Sequence, residues 1–189
     1  MFEQDDIHEL LRILNNGGLI LYPTDTIWGI GCDATNEAAV EKVSQLKQRP
    51  PEKGYVILAD SIDMVRDHVE HLHPRLETLL MHHTRPLTIV YDKAKNLSVN
   101  ALAPDGSVAM RIPQDRFCKD LIHYLGKPLV STSANVSGEP FPAFFGEVSS
   151  DVIENVDYIV RYRRDDRQFQ DPSVIARLGE NEELEILRA

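Results

Sequence analysis

The chain is poor in the features that mark most specialised proteins. Its 189 residues include only two cysteines, Cys32 and Cys118. Two give neither a disulfide framework nor a metal spacing, and they read as small packing residues. No apolar run approaches the roughly 18 residues that a membrane span needs, so no membrane contact is expected. The opening residues, Met1 to Asp6, are acidic and lack the basic-then-apolar pattern of a secretory signal. The expectation is a cytoplasmic protein. Positive charge is also scarce, with 20 Lys and Arg against 30 Asp and Glu and a net charge of -10. That balance argues against a surface built to coat nucleic acid, because such binding neutralises many phosphates. A local basic cleft is still allowed, since a few cations focused inside it can bind a nucleotide beneath an acidic exterior. Repeats, low-complexity tracts and linkers are missing, so one domain over 1–189 is expected.

What is present is an ordinary core-forming composition, 42% hydrophobic and 26% charged. Residues 4–16 carry Ile7, Leu10, Leu11 and Leu14 at helical spacing, stopped by Asn15-Asn16-Gly17-Gly18. Residues 36–47 repeat the pattern, with Asn36 as N-cap and Ala39, Val40, Val43 and Leu46 on one face. Further helices are expected at 61–70, 73–82 and 114–125. Leu19–Tyr22, ended by Pro23, and Tyr55–Leu58 read as buried strands. Others are expected at 87–91, 107–112, 128–131, 157–161, 173–177 and 184–188. Alternation that gives way to a strand-rich second half predicts an α/β (α+β) fold, a twisted open mixed β-sheet flanked by helices.

Several motifs suggest chemistry that their surroundings deny. Gly29-Ile30-Gly31-Cys32-Asp33-Ala34 fits G-x-G-x-x-A, but Pro23 to Trp28 separate it from the preceding strand, where a dinucleotide fingerprint must begin. Gly126-Lys127 resembles a P-loop end, yet Pro128 stands where Ser or Thr is required. His68, His71, His73, His82 and His83 lack an H-E-x-x-H pair and read as solvated helix surface. The run Arg161 to Arg167 interleaves Asp165 and Asp166 and reads as a self-paired surface loop.

Four segments point elsewhere. Ser131-Thr132-Ser133-Ala134-Asn135-Val136-Ser137-Gly138 follows a strand and concentrates hydroxyls, an amide and free backbone N–H groups that suit phosphate oxygens. Alone it reads equally as a serine-rich turn. Pro23-Thr24-Asp25-Thr26 places hydroxyls at a strand's carboxyl edge, where open sheets bind ligands. Lys47 and Arg49 lie at a helix end, followed by Pro50-Pro51, which force an extended exit. Arg111 sits in an otherwise apolar strand, where a charge is costly unless paired or facing a ligand. A cationic helix terminus and a structural ion pair explain Lys47, Arg49 and Arg111 singly. Jointly the segments favour a phosphate and carboxylate pocket.

These segments resemble the YrdC-type threonylcarbamoyl-AMP synthases. The resemblance rests on Tyr-Pro-Thr-Asp-Thr at 22–26, Gly29 to Ala34, Lys47-x-Arg49, Arg85 to Thr88, Val108 to Pro113, Ser133-x-Asn135, and the tail Pro172 to Ile175 with Leu187-Arg188. It runs from about residue 17 to the end. Lys53-Gly54-Tyr55 replaces the Lys-Pro-Leu or His-Pro-Leu of many members and looks like the short, single-domain bacterial branch. Arg163 to Asp171 lacks the glycine-rich turn common before the C-terminal Ser motif.

The resemblance implies a YrdC-like fold with a large concave cavity. It also implies the conversion of L-threonine, bicarbonate (as CO₂) and ATP, with Mg²⁺, to threonylcarbamoyl-AMP and pyrophosphate. That product serves N6-threonylcarbamoyladenosine formation in tRNA through downstream threonylcarbamoyl-transfer proteins. Lys47 and Arg49 are the implied catalytic residues. With Lys53, Ser107, Ser133, Asn135 and Arg188 they are implied to bind ATP. Thr26, Arg111, Ser131 and Ser173 are implied to line the threonine side. Rival readings are an RNA-binding or ribosome-associated factor, with weak tRNA or double-stranded RNA binding, a carbamoyl-phosphate-dependent transfer module, and an inactive paralogue.

Overall fold

The computed structural model describes residues 4–49, 53–168, 170–179 and 181–189. Pro50 and Pro51 lie outside the described residues, as do Met1 to Glu3 of the acidic opening. Every expected helix and strand is present. The helices are α1 (Ile7–Asn15), α2 (Glu37–Lys47), α3 (Ile62–His68), α4 (Pro74–His82) and α5 (Arg116–Leu125). The strands are β1 (Ile20–Tyr22), β3 (Val56–Leu58), β4 (Leu87–Tyr91), β5 (Val108–Arg111), β6 (Leu129–Ser133), β7 (Tyr158–Ile159), β8 (Val174–Leu178) and β9 (Leu184–Arg188). Two elements were not anticipated, β2 (Gly29–Gly31) and the short α6 (Ser150–Glu154).

Local chemistry sets the helix ends. Asp6, Asn36, Ser61 and Asp115 accept backbone N–H groups at the starts of α1, α2, α3 and α5, satisfying donors that no helical carbonyl can reach. Gly126 closes α5 at φ +67°, the left-handed turn that glycine adopts without strain. Gln48 does the same for α2 at φ 48°. No helix among the described residues is long and apolar enough to cross a membrane.

The strands form one mixed sheet in the order β7-β1-β2-β6-β3-β5-β4-β8-β9. β6 is its seam. Its first half, Leu129 to Ser131, pairs antiparallel with β3, and its last residues, Thr132 and Ser133, pair antiparallel with β2. One sheet face buries Leu21, Ile30, Ile57, Ile89, Met110 and Val130 against α2, α3 and α4. The other presents Ile20, Tyr22, Leu58 and Leu129 to α1 and α5. This follows from strand geometry, where alternate side chains face opposite ways and both faces need cover.

β2 escaped notice because two of its three residues are glycines, which normally weaken a strand. Here they are needed. Tyr22 is fully buried, and its ring lies across the strand. A Cβ on Gly31 would stand 2.7 Å from the Tyr22 ring and 3.0 Å from the Val130 carbonyl oxygen. The G-x-G pattern therefore marks a close approach within the sheet and not a cofactor turn. Gly31→Ala is expected to destabilise the fold by about 1–3 kcal/mol through overpacking, read as a lowered urea midpoint with unchanged m.

Candidate functional site

Strand register assembles the site. Pairing places Ser131 with Val56, Ser133 with Gly29, and Arg111 with both Leu58 and Thr88. Alternation therefore sends Ser131, Ser133, Ala109, Arg111 and Thr88 to the face shared with α1 and α5. Those helices cover only the Ile20, Tyr22, Leu58 and Leu129 end. Val56, Ala109, Ser131 and Ser133 stay half-buried, whereas Ile57, Met110 and Val130 behind them are buried. A polar, partly open stretch of sheet results.

Lys47 ends α2 and is 2% exposed. Its ammonium donates to Ser133 O at 2.5 Å, Asn135 O at 2.6 Å and, at 3.4 Å, Asn135 Oδ1. Its carbonyl accepts the Ser137 N–H at 2.8 Å. The serine-rich loop is thus clasped at both ends of one residue. Asn135 Nδ2 completes the loop by donating to Glu139 O at 2.6 Å and Val136 O at 3.1 Å. Lys47 and Asn135, expected to point polar groups at phosphates, instead spend them on the loop itself. An ammonium has three donors, and all three are engaged. Among the described residues no carboxylate pairs with Lys47. Burial, reinforced by the neighbouring Arg49 charge, lowers its pKa to about 8.

Arg49 follows the left-handed Gln48, which turns the chain back. Its guanidinium donates to Lys53 O at 3.0 Å and Gly54 O at 2.6 Å and stacks 4.6 Å from the Tyr55 ring centre, a cation–π geometry. It borders a cavity of about 750 Å³ lined also by Gln48, Val99, Leu102 and Ala103. The Lys53 side chain is exposed. Ser107 lies in the turn before β5, where its N–H donates to Asp105 Oδ1 at 2.9 Å. Lys47, Arg49, Ser133 and Asn135 therefore form one neighbourhood, with Lys53 and Ser107 on its flanking turns.

Arg111 has the structural partner that its burial demanded. It is 3% exposed and ion-pairs with Asp25. A longer contact of 3.4 Å runs from Nη2 to Thr26 Oγ1. Thr26 Oγ1 also lies 2.8 Å from Thr24 Oγ1, which caps the turn by donating to Ile27 O at 2.8 Å. Arg163 donates to Thr24 O at 2.9 Å and lies 3.6 Å from Asp115. The expected self-paired loop is corrected here. Arg163 does pair with Asp166, but it also ties that loop to the Thr24–Thr26 turn.

Further along the same face, Ser173 Oγ lies 2.7 Å from Thr88 Oγ1, both buried. Arg188 donates to Ser173 O at 2.8 and 3.2 Å. Partial burial, then the nearby Arg111 charge, lowers the Arg188 pKa. Ser131 lies beside Tyr22, whose hydroxyl donates to Val130 O at 3.4 Å and is pushed well up in pKa by burial. Thr26, Arg111, Ser173 and Arg188 are thus one connected group, with Ser131 between it and the Lys47 loop. Asp25, Thr88 and Arg163 belong to the group too. Asp25 stands in the Pro23–Thr26 segment, which the sequence marks by its hydroxyls, while the lone cation in an apolar strand points to a carboxylate partner.

The histidines form no metal centre. No group of three or more His, Cys, Asp or Glu among the described residues is arranged to hold an ion. His68, His73 and His83 depart from the expected exposed surface, being half-buried, and burial lowers the His68 pKa.

Comparison with known proteins converges on one family. The Sua5_yciO_yrdC family model, described as "Telomere recombination", matches residues 12–189. A protein named threonylcarbamoyl-AMP synthase from Pseudoalteromonas translucida is 33% identical over 163 residues, covering 85% of this chain and 87% of its own length. One of the same name from Xanthomonas euvesicatoria pv. vesicatoria is 40% identical over 145 residues, covering 71% and 74%. Sua5 of P. abyssi, solved in complex with L-threonine, shares the fold at a TM-score of 0.85 and 24% identity over 96% of this chain. The chain spans 53% of that protein's length.

The Lys47 environment has a consequence for stability. Its folded pKa, about 8, lies below the unfolded value of roughly 10.4. Between these values the unfolded chain holds a proton that the folded chain has lost, so stability rises with pH. The stability of wild type minus that of Lys47→Met, from urea unfolding at pH 7 to 10, should climb above pH 8. The slope should approach roughly 1.4 kcal/mol per pH unit. A flat difference would mean that Lys47 keeps an ordinary pKa.

Proposed function

This chain belongs to the Sua5/YciO/YrdC family, and from that premise we propose that it is an L-threonylcarbamoyladenylate synthase, a nucleotidyltransferase. It converts L-threonine, bicarbonate and ATP to threonylcarbamoyl-AMP and pyrophosphate. The observation that carries this reading is the juxtaposition of Lys47 and Arg49. Neither is paired with a carboxylate among the described residues; Lys47 grips the serine-rich loop, and Arg49 lies near enough for its charge to act on Lys47. Burying uncompensated cations is costly, and a triphosphate supplies the missing negative charge.

The chemistry is adenylation of a carbamate. Bicarbonate takes up a proton and loses water to give CO₂; the amine nitrogen of threonine bonds to its carbon and loses a proton in turn. A carbamate oxygen then attacks the α-phosphorus of ATP, the bond to the bridging oxygen breaks, and pyrophosphate departs. Carbamates decompose readily, so holding the reactants together away from bulk water is the main requirement. Lys47 fixes the Ser133–Gly138 loop and contributes its charge beside the phosphates, and Arg49 adds a second cation. Ser133 faces the triphosphate from that loop, whose shape Asn135 holds, with Lys53 and Ser107 on the flanking turns and Arg188 reaching the nucleotide from the Ser173 side. Thr26, Arg111, Ser131 and Ser173 line the threonine side. Among the described residues no group of three or more His, Cys, Asp or Glu is arranged to hold an ion; Mg²⁺ would be carried by the ATP phosphates and would neutralise part of their charge.

The product, a mixed carbamic–phosphoric anhydride, is passed in the cytoplasm to tRNA threonylcarbamoyl-transfer proteins that form N6-threonylcarbamoyladenosine. A net charge of -10 disfavours direct binding of tRNA or double-stranded RNA.

Pyrophosphate release from ATP should require threonine and bicarbonate together. Lys47→Ala and Arg49→Ala should each cut it by about a hundredfold or more while retaining cooperative unfolding. Near-wild-type turnover in both variants would remove their assigned roles. Release without threonine would indicate a plain ATPase, and tight, salt-sensitive RNA binding without turnover would favour the RNA-binding alternative.

A further inference from the structure

We infer that Asp25 is a positioning residue: it grips one edge of the Arg111 guanidinium and thereby presents the other edge to the substrate carboxylate. The inference rests on the reading of Arg111 as a threonine-side residue.

A guanidinium has two forked edges, Nη1/Nη2 and Nη2/Nε. Asp25 Oδ1 takes Nη1. Asp25 is itself fixed, because Oδ2 accepts the Gln114 N–H at 2.8 Å. This carboxylate therefore bridges the turn after β1 and the turn after β5, and Arg111 closes the triangle. The second edge is almost unused. Nη2 makes only the 3.4 Å contact to Thr26 Oγ1, and Nε is buried with no partner among the described residues. Buried N–H groups are rarely left orphaned, because each costs about 1–3 kcal/mol. The cost disappears when an acceptor arrives from outside. The two oxygens of a carboxylate match the Nη2/Nε fork.

Charge supports the same geometry. Paired with Asp25, Arg111 carries no net charge into the buried site before substrate binds. A bound carboxylate then leaves the trio with one excess negative charge, and Arg188 is near enough for the Arg111 charge to depress its pKa. Arg188 in turn is anchored to the Ser173 carbonyl. Asp25 thus sets the direction of Arg111 without touching substrate.

Steady-state kinetics on the full chain test this. Asp25→Asn should raise the threonine KM by about tenfold and leave the ATP KM within about twofold. Asp25→Asn/Arg111→Lys should be no worse for threonine than Arg111→Lys alone, because both act through one fork. An unchanged or lowered threonine KM, equal losses for both substrates, or additive effects would overturn the inference. A second measurement needs no variant: the Arg111 Nε–H resonance of the wild type should shift on titration with threonine alone. No shift would overturn the inference. A shift in a protein that forms no pyrophosphate would instead defeat the synthase reading and leave the role of Asp25 standing.

Discussion

The arrangement turns on one buried ammonium. Lys47 reaches from the last turn of α2 to the loop that leaves β6 and gathers three oxygens there. Its own carbonyl receives the Ser137 N–H. A helix on one sheet face and a loop at the strand ends are thereby locked to each other through a single residue. The lock is electrostatically incomplete. Carbonyl dipoles solvate the charge but do not cancel it, and burial together with Arg49 depresses its pKa to about 8. A buried charge in that condition would be stabilised by an incoming polyanion, and the serine-rich loop beside it is already held in place.

Sheet register extends that local lock into a surface. Side chains two apart on β6, β5 and β4 emerge on one side because strands alternate, and α1 and α5 roof only the apolar end of that side. Hydroxyls and guanidiniums fill the remainder. Arg111 lies at the border, where Leu58 is its neighbour in register, and Asp25 makes its burial tolerable. Thr88 and Ser173 share one hydrogen bond behind it.

Periodicity made the framework readable. Apolar spacing located five helices and eight strands, most of which have a face that must be covered; β9 is exposed along its whole length. β2 was hidden because its glycines answer to the Tyr22 ring, a contact fixed by tertiary packing and invisible to local propensity. The site was legible in part for a similar reason. A lone arginine in an apolar strand announces a partner, and Asp25 lies in a segment already marked for the same pocket, but marked by its hydroxyl neighbours and not by its carboxylate. Clustered serines announce an anion loop, yet they do not say that Lys47 and Asn135 hold the loop together. Arg163 looked self-paired because its nearest acid in sequence does pair with it, and its reach to Thr24 depends on how β7 returns to the sheet edge beside β1.

The seam strand has a bearing on biosynthesis. Gly29 meets its partner Ser133 only after more than a hundred further residues have left the ribosome, since the two lie 104 positions apart (133 − 29). Until then the nascent β1–β2 hairpin has an open edge and an apolar face awaiting cover, the kind of surface that chaperones guard. Closure entropy makes such distant pairing slow. The serine-rich loop, which begins at that same residue, is consequently among the late parts of the molecule to take shape.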